Sequence, residues 1–468
     1  MSAENKMGIM PVNKLLITMS VPIMLSMIVQ ALYNIVDSIF VSMVSENALT
    51  AVSLAFPVQI LMIAAAVGTG VGMNSFLSRS LGAKDYDAVN RTANAGFVLS
   101  WLGSLVFILI GIFGAEAFFS SQTDITEIVS YGRDYLSIVC IFSFGVFNQV
   151  LAERLLVSTG RTVYSMITQI VGAVVNLILD PIMIFGLLGF PRMEVAGAAI
   201  ATVIGEIVAA AVGLYINHRV NKEIKISPAS VKNAFLKPDW KIIGQIYAVG
   251  LPAIVMQSIG SLMVYVFNRI LLDFTPTAAT VFGAYFKLQS FIFMPVFGLN
   301  NGMVPIISYN YGARHKDRIV KTIKLSLVYA AGFMLLGIAL FNFIPDKLLG
   351  LFNPSPEMLD IGVTALRIIS VHYCFAGFSI VLVSVFQALG NGVYSLCVSV
   401  ARQLLVLLPS AWLFSLSGEL SSVWWSFPVA EFVSLACCLF FIRAIYRAKI
   451  KYLAPSANIH HMTEVNAG

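Results

Sequence analysis

The chain has 468 residues, of which 58% are hydrophobic and only 11% are charged, and its formal net charge is +6. About a quarter of the residues of a soluble protein are charged, so this composition excludes a protein whose whole surface is exposed to water. The apolar runs lack the polar–apolar alternation that the strands of membrane β-barrels show, so helical membrane spans are expected.

Twelve apolar runs of helical length follow one another along the chain, each bounded by polar residues, glycine or proline. A helix needs about 20 apolar residues to cross a bilayer, and every run is long enough. The predicted spans are 15–44, 49–77, 93–114, 133–155, 162–188, 193–218, 242–272, 278–304, 322–344, 360–388, 393–416 and 422–446. The sequence therefore predicts an all-α polytopic membrane protein with twelve transmembrane helices, six in each half.

The spans divide the chain into four predicted segments. Residues 1–218 form an N-terminal six-helix lobe, and 219–241 form a basic cytoplasmic linker that contains proline. Residues 242–450 form a C-terminal six-helix lobe, and 451–468 form a polar C-terminal tail.

Lysine and arginine are concentrated in the loops on one side of the predicted membrane. The loops on the other side have only Arg133, Arg192, Lys347 and Arg367. By the positive-inside rule the basic side is cytoplasmic, and both termini are predicted to lie there. The positive net charge is thus explained by membrane topology, and no nucleic-acid partner is expected.

A short signature occurs twice, with a spacing of 230 residues. Gly82 recurs as Gly312, and Pro22 recurs as Pro252. Duplicated halves in an apolar chain are typical of secondary transporters, in which the substrate path lies between the halves. Because each half has an even number of spans, the two halves should be related by an axis along the membrane normal.

Polar residues share a helical face in three spans of the first half. They are Gln30, Asn34 and Asp37 in span 1, Asn176 and Asp180 in span 5, and Thr202 and Glu206 in span 6. A charged residue inside the bilayer costs at least a few kcal/mol, so the acids need a functional explanation. Asp180 and Thr202 each lie roughly 12–13 Å from the outer end of their span, and Asp37 lies in the outer third of span 1.

These side chains offer oxygen ligands at one depth of the predicted membrane. Carboxylates, an amide and a hydroxyl suit a hard cation such as Na⁺. Two nearby carboxylates also suit a proton, because burial and mutual repulsion disfavour the charged form. We expect Na⁺ or H⁺ as the bound ion and no other cofactor. Gln30 and Asn34 are additional candidates, although an intramembrane glutamine more often forms an interhelical hydrogen bond.

The second half has fewer acids. Lys287 in span 8 and Arg402 in span 11 are further candidates, either as counter-charges or as parts of a gate. Each is a cation with which Glu206 can pair, whereas Glu431 in span 12 has no obvious partner.

Soft and aromatic side chains of spans 7 and 8 are candidates for the lining of an adaptable substrate cavity. With one glutamine they are Met256, Gln257, Tyr265, Tyr285, Phe286 and Phe293.

The chain resembles the multidrug and toxic compound extrusion (MATE) transporters, in their MepA-like bacterial branch, over nearly all residues to about 450. The motifs that carry the resemblance are Tyr33-Asn34-Ile35-Val36-Asp37, Leu81-Gly82-Ala83-Lys84, Asn176-Leu177-Ile178-Leu179-Asp180-Pro181, Gly197-Ala198-Ala199-Ile200-Ala201-Thr202, and Phe293-Met294-Pro295 with Gly298. The resemblance implies two six-helix pseudo-symmetric bundles arranged as a V with a cavity between them. It also implies antiport, in which organic cations leave while Na⁺ or H⁺ enters.

In the family the first-lobe cation site corresponds to Asp37, Asn176, Asp180 and Thr202 of this chain. One branch also uses acids in spans 7 and 10. Here the span-7 position is Gln257 and span 10 has no acid, so coupling through the first lobe alone is expected.

The predicted function is multidrug efflux by alternating access, with small organic cations as substrates. The protein is expected to be a monomer that contacts the lipids of a bacterial inner or plasma membrane. The alternative is a flippase for a lipid-linked saccharide, which would need a strongly cationic cavity. A membrane enzyme is disfavoured because no HExxH, paired-His or GxSxG motif lies at membrane depth.

Overall fold

The computed structural model describes residues 5–352 and 354–453, and within these ranges the regular structure is entirely helical. Of the predicted C-terminal tail, residues 454–468 lie outside the described residues. The helices of the first half of the chain are α1 (Lys6–Ile9), α2 (Val12–Ser42), α3 (Glu46–Gly82), α4 (Tyr86–Phe113), α5 (Ala115–Ser120), α6 (Thr126–Ile141), α7 (Phe144–Ser158), α8 (Thr162–Phe185), α9 (Glu194–Val220) and α10 (Pro228–Leu236).

The second half has helices of similar lengths. They are α11 (Trp240–Leu272), α12 (Pro276–Gly312), α13 (Lys316–Phe343), α14 (Pro345–Gly350), α15 (Pro356–Ser370), α16 (Tyr373–Ala388), α17 (Gly392–Val400), α18 (Leu408–Ser415), α19 (Leu420–Trp424) and α20 (Ser426–Ile445). A π-helical segment, Ala401–Leu407, joins α17 to α18, and a second one, Tyr446–Ile450, follows α20.

The described residues contain ten helices that are long and apolar enough to span a membrane, and two bent pairs raise this number to twelve. The pairs are α6–α7, bent by 45°, and α15–α16, bent by 52°. The twelve predicted spans each correspond to one of these elements. Within a bilayer only helices satisfy every backbone group internally, which is why apolar run length predicts them so well. The two bends, and the early starts at Thr126 and Pro356, were not predicted from hydropathy.

The 230-residue repeat extends to details of the backbone. The short helices α5 and α14 begin at equivalent positions, as do the two bent pairs. Gly160 and Gly390 both have a positive φ at the ends of α7 and α16, where a left-handed residue closes the helix. The duplication is therefore structural as well as sequential.

The described chain forms two compact units, which do not follow the predicted lobes. The first unit comprises Val21–Leu77 and Tyr86–Ser258, and the second comprises Met1–Ser20, Ser78–Asp85 and Ile259–Gly468. The second unit thus includes the first turns of α2 and the end of α3, and the first unit includes the linker and the first half of α11. The predicted division at 218 and 242 stays a prediction.

The second unit explains the repeated glycine signature. An added Cβ at Gly82 would lie 1.9 Å from the carbonyl oxygen of Tyr309, and one at Gly312 would lie 1.9 Å from that of Arg79. The ends of α3 and α12 therefore cross so closely that only glycine fits at either position. The left-handed residues of the two turns are Lys84 and Arg314, each with φ 60°, so the glycines are required by packing and not by φ.

The second unit also has an aromatic core. Phe267, Phe282, Tyr285, Trp424 and Phe427 are buried, and their ring centroids lie 4.7–6.4 Å apart. The first unit has a core of mostly aliphatic and small residues, many of them from α3, α6 and α9. Phe107 of α4, Phe119 of α5 and Phe147 of α7 are its buried phenylalanines in this cluster. The two units therefore have similar helices but cores of different composition.

Candidate ion-coupling site

The site is built on the close approach of α8 and α9 in the first unit. An added Cβ at Gly172 would lie 3.0 Å from the carbonyl oxygen of Gly205, and one at Gly205 would lie 2.8 Å from that of Gly172. Small residues at a helix crossing let the two backbones approach. One turn along α8 from Gly172 lies Asn176, and about one turn from Gly205 lies Thr202, so the crossing brings these two side chains together.

Asn176 links the polar residues of α8 and α9. Its Nδ2 donates hydrogen bonds to Asp180 Oδ1 at 3.2 Å and to Thr202 Oγ1 at 3.3 Å. Asn176 and Asp180 are buried. Both hydrogen bonds are donated by the amide nitrogen, so the amide oxygen of Asn176 can accept a hydrogen bond or coordinate an ion.

Asp37 of α2 completes the cluster. Its carboxyl group lies beside that of Asp180, within reach of a hydrogen bond when one of the two is protonated. Within the described part of the chain, Asp37 Oδ1, Asn176 Oδ1 and Asp180 Oδ2 are buried and have no hydrogen-bond partner. A buried oxygen without a donor is costly, so this cluster offers three acceptor oxygens to a cation, a water molecule or a shared proton.

The chemistry of the cluster fits a small monovalent ion better than a transition metal. Among the described residues no group of three or more His, Cys, Asp or Glu side chains is placed to hold a metal ion. Two carboxylates with neutral amide and hydroxyl oxygens are hard ligands of low total charge. The structure thus brings together the four residues predicted as the coupling site, whereas their binding of Na⁺ or H⁺ stays a prediction.

Tyr135 of α6 is a neighbour of the cluster that the sequence did not indicate. It is buried, its hydroxyl accepts a hydrogen bond from Gln59 Nε2 at 2.9 Å, and it lies within electrostatic range of Asp37 and Asp180. Tyrosine is common in apolar helices, so no pattern in one sequence separates this one from the others.

A polar cavity of about 30 Å³ adjoins the cluster, and Asn176 and Thr202 are part of its wall. A water molecule needs about 10–15 Å³, so the cavity has room for roughly two. Its other polar wall residues are Ser26, Gln30, Tyr33, Gln149, Gln169 and Glu206. Gln30 and Glu206, predicted as additional residues, are thus close to the coupling cluster.

Glu153 of α7 lies beyond this cavity and was missed by the sequence analysis. Its carboxylate is buried and accepts hydrogen bonds from Gln149 Nε2 at 3.0 Å and Gln169 Nε2 at 2.7 Å, and both glutamines line the cavity. The predicted span 133–155 ends two residues after Glu153, and the adjacent Arg154 was assigned to the cytoplasmic loop, so an acid beside it gave no signal of an intramembrane position. The first unit therefore has acids on both sides of one polar cavity.

The remaining additional candidates lie elsewhere. Asn34 is exposed on α2, although one turn from Asp37. Lys287 is exposed, and its Nζ lies 5.9 Å from the ring centre of Phe352. Arg402 Nη1 lies 3.3 Å from Glu431 Oε2, so the expectation that Glu431 lacks a partner was wrong.

The predicted cavity residues differ in exposure. Tyr285 is fully buried in the aromatic core, and Phe293 is buried against His372 and Tyr373. These two pack the interior of the second unit in this structure, so the prediction that they line a cavity is not met in this conformation. The other four, Met256, Gln257, Tyr265 and Phe286, are partly or fully exposed, and their role as cavity residues stays a prediction.

Similarity to known proteins shows to which family the chain belongs. The family model described as MatE matches residues 22–182 and 252–413, one match in each repeat and more than half of the chain. The chain belongs to the MatE family. This confirms the resemblance drawn from the motifs.

Relatives of this MatE protein cover nearly its whole length. Multidrug export protein MepA of Staphylococcus haemolyticus is 26% identical over 433 residues, which are 92% of this chain and 93% of MepA. The FAD transporter of Shewanella oneidensis is 28% identical over 448 residues, 93% of this chain and 95% of that protein.

A solved structure shows the same fold. It is described as the outward-facing conformation of a multidrug resistance MATE family transporter of the MOP superfamily, and it matches with a TM-score of 0.88 at 23% identity. The match covers 96% of this chain and 99% of the other. The predicted all-α polytopic fold class is confirmed, and this MatE protein is a multi-pass membrane transporter.

Proposed function

We propose that this MatE transporter exports organic, mostly cationic amphipathic compounds in exchange for Na⁺ or H⁺. The observation that supports the proposal is the cluster of Asp37, Asn176, Asp180 and Thr202, three of whose buried oxygens have no hydrogen-bond partner among the described residues. An ion-coupled exporter needs a buried site whose ion affinity changes with conformation, and these residues form a suitable one.

The proposed cycle follows from competition between charges. While Asp37 and Asp180 are charged and free of the coupling ion, a substrate cation is favoured nearby. Binding of Na⁺ or H⁺ from outside neutralises the pair and removes that attraction, so the substrate leaves. Pro22 lies inside α2, where it interrupts the helical hydrogen bonding and can act as a hinge for the segment that carries Asp37. The ion drives this cycle only through unequal affinity for the two states.

The orientation and location belong to the same proposal. By the positive-inside rule the basic loops favour a cytoplasmic position for both termini, and the similarity to bacterial MepA supports the plasma membrane of a bacterium. The proposed functional form is a monomer, because one chain contains both repeats and the whole candidate site.

The test is efflux of a cationic dye from membrane vesicles, with Na⁺ and H⁺ gradients imposed separately. Asp37→Asn and Asp180→Asn are expected to lower gradient-driven efflux by roughly 5- to 150-fold, the usual range of a coupling free energy of about 1–3 kcal/mol. The gradient whose effect disappears identifies the ion.

The matched control is Asp134→Asn, which removes an exposed carboxylate that pairs with Arg133 on α6 of the same unit. It should leave efflux unchanged. Ion-driven efflux at the natural rate in Asp37→Asn would contradict the coupling assignment, whereas loss in Asp134→Asn as well would point to a general defect of folding or insertion.

A second candidate substrate is an anionic nucleotide-like compound, which the similarity to a FAD transporter favours. Arg269 and Lys287 of the second unit are exposed and offer positive charge. Uptake of FAD into inside-out vesicles, measured beside the dye, separates the two substrate classes. Transport of FAD without the dye would replace the cationic substrate class in this proposal.

The lipid-linked saccharide flippase is the weaker alternative. Its pyrophosphate substrate requires several unpaired cations together, and the positive charge of Arg402 is offset by Glu431 at 3.3 Å. Ion-driven dye export would argue against it.

A further inference from the structure

The linker helix α10 separates two cavities of opposite character in the first unit. Its residues Pro228, Val231, Lys232 and Phe235 line an apolar cavity of about 630 Å³. The opposite face, which includes Ser230 and Asn233, lines a polar cavity of about 670 Å³ together with Lys237, the residue that follows the helix. Positions at a spacing of three, four and seven share one side of a helix, so α10 is amphipathic with respect to these two spaces.

The apolar cavity extends along two membrane helices. Its walls include Phe97 and Trp101 of α4, Leu214 of α9, and Ile224 and Ile226 of the linker. Trp101 lies fifteen residues after the start of α4, which is about 22 Å at 1.5 Å per residue. The cavity therefore begins beside the linker and reaches the depth of the hydrocarbon region.

The linker is attached to the helices at both of its ends. On one side Glu223 pairs with Arg161 at 2.9 Å, and on the other Asp239 pairs with Arg91 at 3.1 Å. These are the only acids of residues 219–241, which also contain six lysine or arginine residues. Both acids are engaged by arginines outside the linker, and Lys232 has no ion-pair partner among the described residues. A positive charge is thus left at the rim of the apolar cavity.

The exposed residues at the end of α10 and the start of α11 are those of a membrane interface. Phe235 and Leu236 of α10 and Trp240 just after it have 59%, 64% and 75% of their surface exposed. Aromatic rings and lysines beside an apolar surface are typical of segments that lie in the headgroup region. By the basic loops, this end of the protein faces the cytoplasmic leaflet, where anionic lipids attract such segments.

We infer that this cavity, which we call the α10 cavity, binds one anionic phospholipid. An acyl chain lies along Phe97, Trp101 and Leu214, and the headgroup phosphate pairs with Lys232. The volume is within the range of about 300–1,000 Å³ found for specific ligand sites, and the positive rim supplies the charge complementarity. The bound lipid would join α10 to α4 and α9 and hold the linker at the membrane surface.

The test uses quenching of Trp101 by phospholipids with brominated acyl chains in reconstituted vesicles of phosphatidylcholine. The signal of Trp101 is obtained as the difference between the natural protein and Trp101→Phe. Brominated phosphatidylglycerol should quench this signal at about fivefold lower mole fraction than brominated phosphatidylcholine, which is the preference that one interfacial lysine provides.

Two lysines of the linker, Lys232 in α10 and Lys237 directly after it, supply the variant and its control. Lys232→Gln should abolish the preference for phosphatidylglycerol. Lys237→Gln removes an exposed lysine from the polar cavity on the opposite face and should retain it.

Three results would overturn the inference. Equal quenching of Trp101 by both lipids would show that no anionic site exists there. Equal loss of preference in both lysine variants would leave only general attraction to a charged surface. Relief of quenching by a cationic dye, without any preference for phosphatidylglycerol, would assign the cavity to a transported substrate.

Discussion

Replacing either signature glycine by alanine should destabilise the conformation described here. At Gly82 the new Cβ would lie 1.9 Å from the Tyr309 carbonyl oxygen, and at Gly312 it would lie 1.9 Å from the Arg79 carbonyl oxygen. Ordinary contacts begin near 3.4 Å, so each substitution lacks about 1.5 Å of clearance. The opposing atoms are backbone in both cases, and only a shift of α3 against α12 relieves the clash.

The expected magnitude is the difference between two effects. Overpacking costs about 1–3 kcal/mol and occasionally more, whereas replacing a helical glycine by alanine gains about 0.5–1 kcal/mol. A net cost of about 1–2 kcal/mol changes the ratio of two conformations by roughly 5- to 30-fold. Because alternating access requires several conformations of comparable free energy, a change of this size should lower both thermal stability and the rate of transport.

The assay compares thermal unfolding in detergent and dye efflux for Gly82→Ala and Gly312→Ala with two matched controls. Gly283 lies in α12 and Gly332 in α13, and an added Cβ at either meets no atom within 4 Å. Alanine at these positions should be neutral or slightly stabilising. Unfolding midpoints and efflux rates of the signature variants equal to those of the controls would refute the crossing as the reason for the repeated glycines.

Two further predictions concern buried charges. Arg402→Leu should destabilise the second unit by roughly 3 kcal/mol, the lower end of the range for a broken buried pair, because Arg402 is about one third exposed and Glu431 is 4% exposed. The double variant Arg402→Leu with Glu431→Leu should recover most of this loss of stability in thermal unfolding. Strictly additive losses in the two single variants and the double variant would contradict the pairing. Glu153→Gln should retain the fold and slow ion-driven dye efflux. Natural efflux rates under both the Na⁺ and the H⁺ gradient would limit Glu153 to a structural role.

The spans and the four-residue cluster could be predicted because each depends on a strong local rule. Apolar run length predicts a membrane helix, and an acid within such a run predicts a functional group. The spacing of Asn176 and Asp180 predicts that they share one face, and the residue counts predict a similar depth for Asp180 and Thr202, with Asp37 in the outer third of its span. The contacts within the cluster agree with that reasoning.

The remaining features depend on tertiary contacts that one sequence does not contain. Glu153 stood beside a predicted span end, where an acid is unremarkable, and only the structure shows that two cavity-lining glutamines hold it. The partner of Glu431 was missed because Arg402 lies on another element, the π-helical segment Ala401–Leu407, 29 residues earlier in the chain. A π-turn changes the register of the helix face, so helical spacing gives the wrong neighbours for Arg402.

The two repeats use the same helix crossing for opposite purposes. Gly172, which lets α8 approach α9, is equivalent to Arg402 at a spacing of 230 residues. In the first unit the absence of a side chain at Gly172 lets α8 approach α9, and Asn176 and Thr202 come together beside a polar cavity. In the second unit the same position carries a guanidinium that pairs with Glu431. A crossing occupied by a long side chain and its counter-ion cannot also close around a small ion.

The positions of the two coupling acids also differ between the repeats. The equivalent of Asp37 is Phe267, which is fully buried among the rings of Phe282, Trp424 and Phe427. The equivalent of Asp180 is Ser410, whose hydroxyl donates to the carbonyl oxygen of Val406 in its own helix. At these two positions the first unit has buried carboxylate oxygens without partners in the part of the chain that the structure describes, whereas the second unit has a packed ring at one and a locally hydrogen-bonded hydroxyl at the other. Ion coupling is therefore expected to depend on the first unit alone. Substitutions in the aromatic core of the second unit should lower the stability of the protein without changing which ion drives transport.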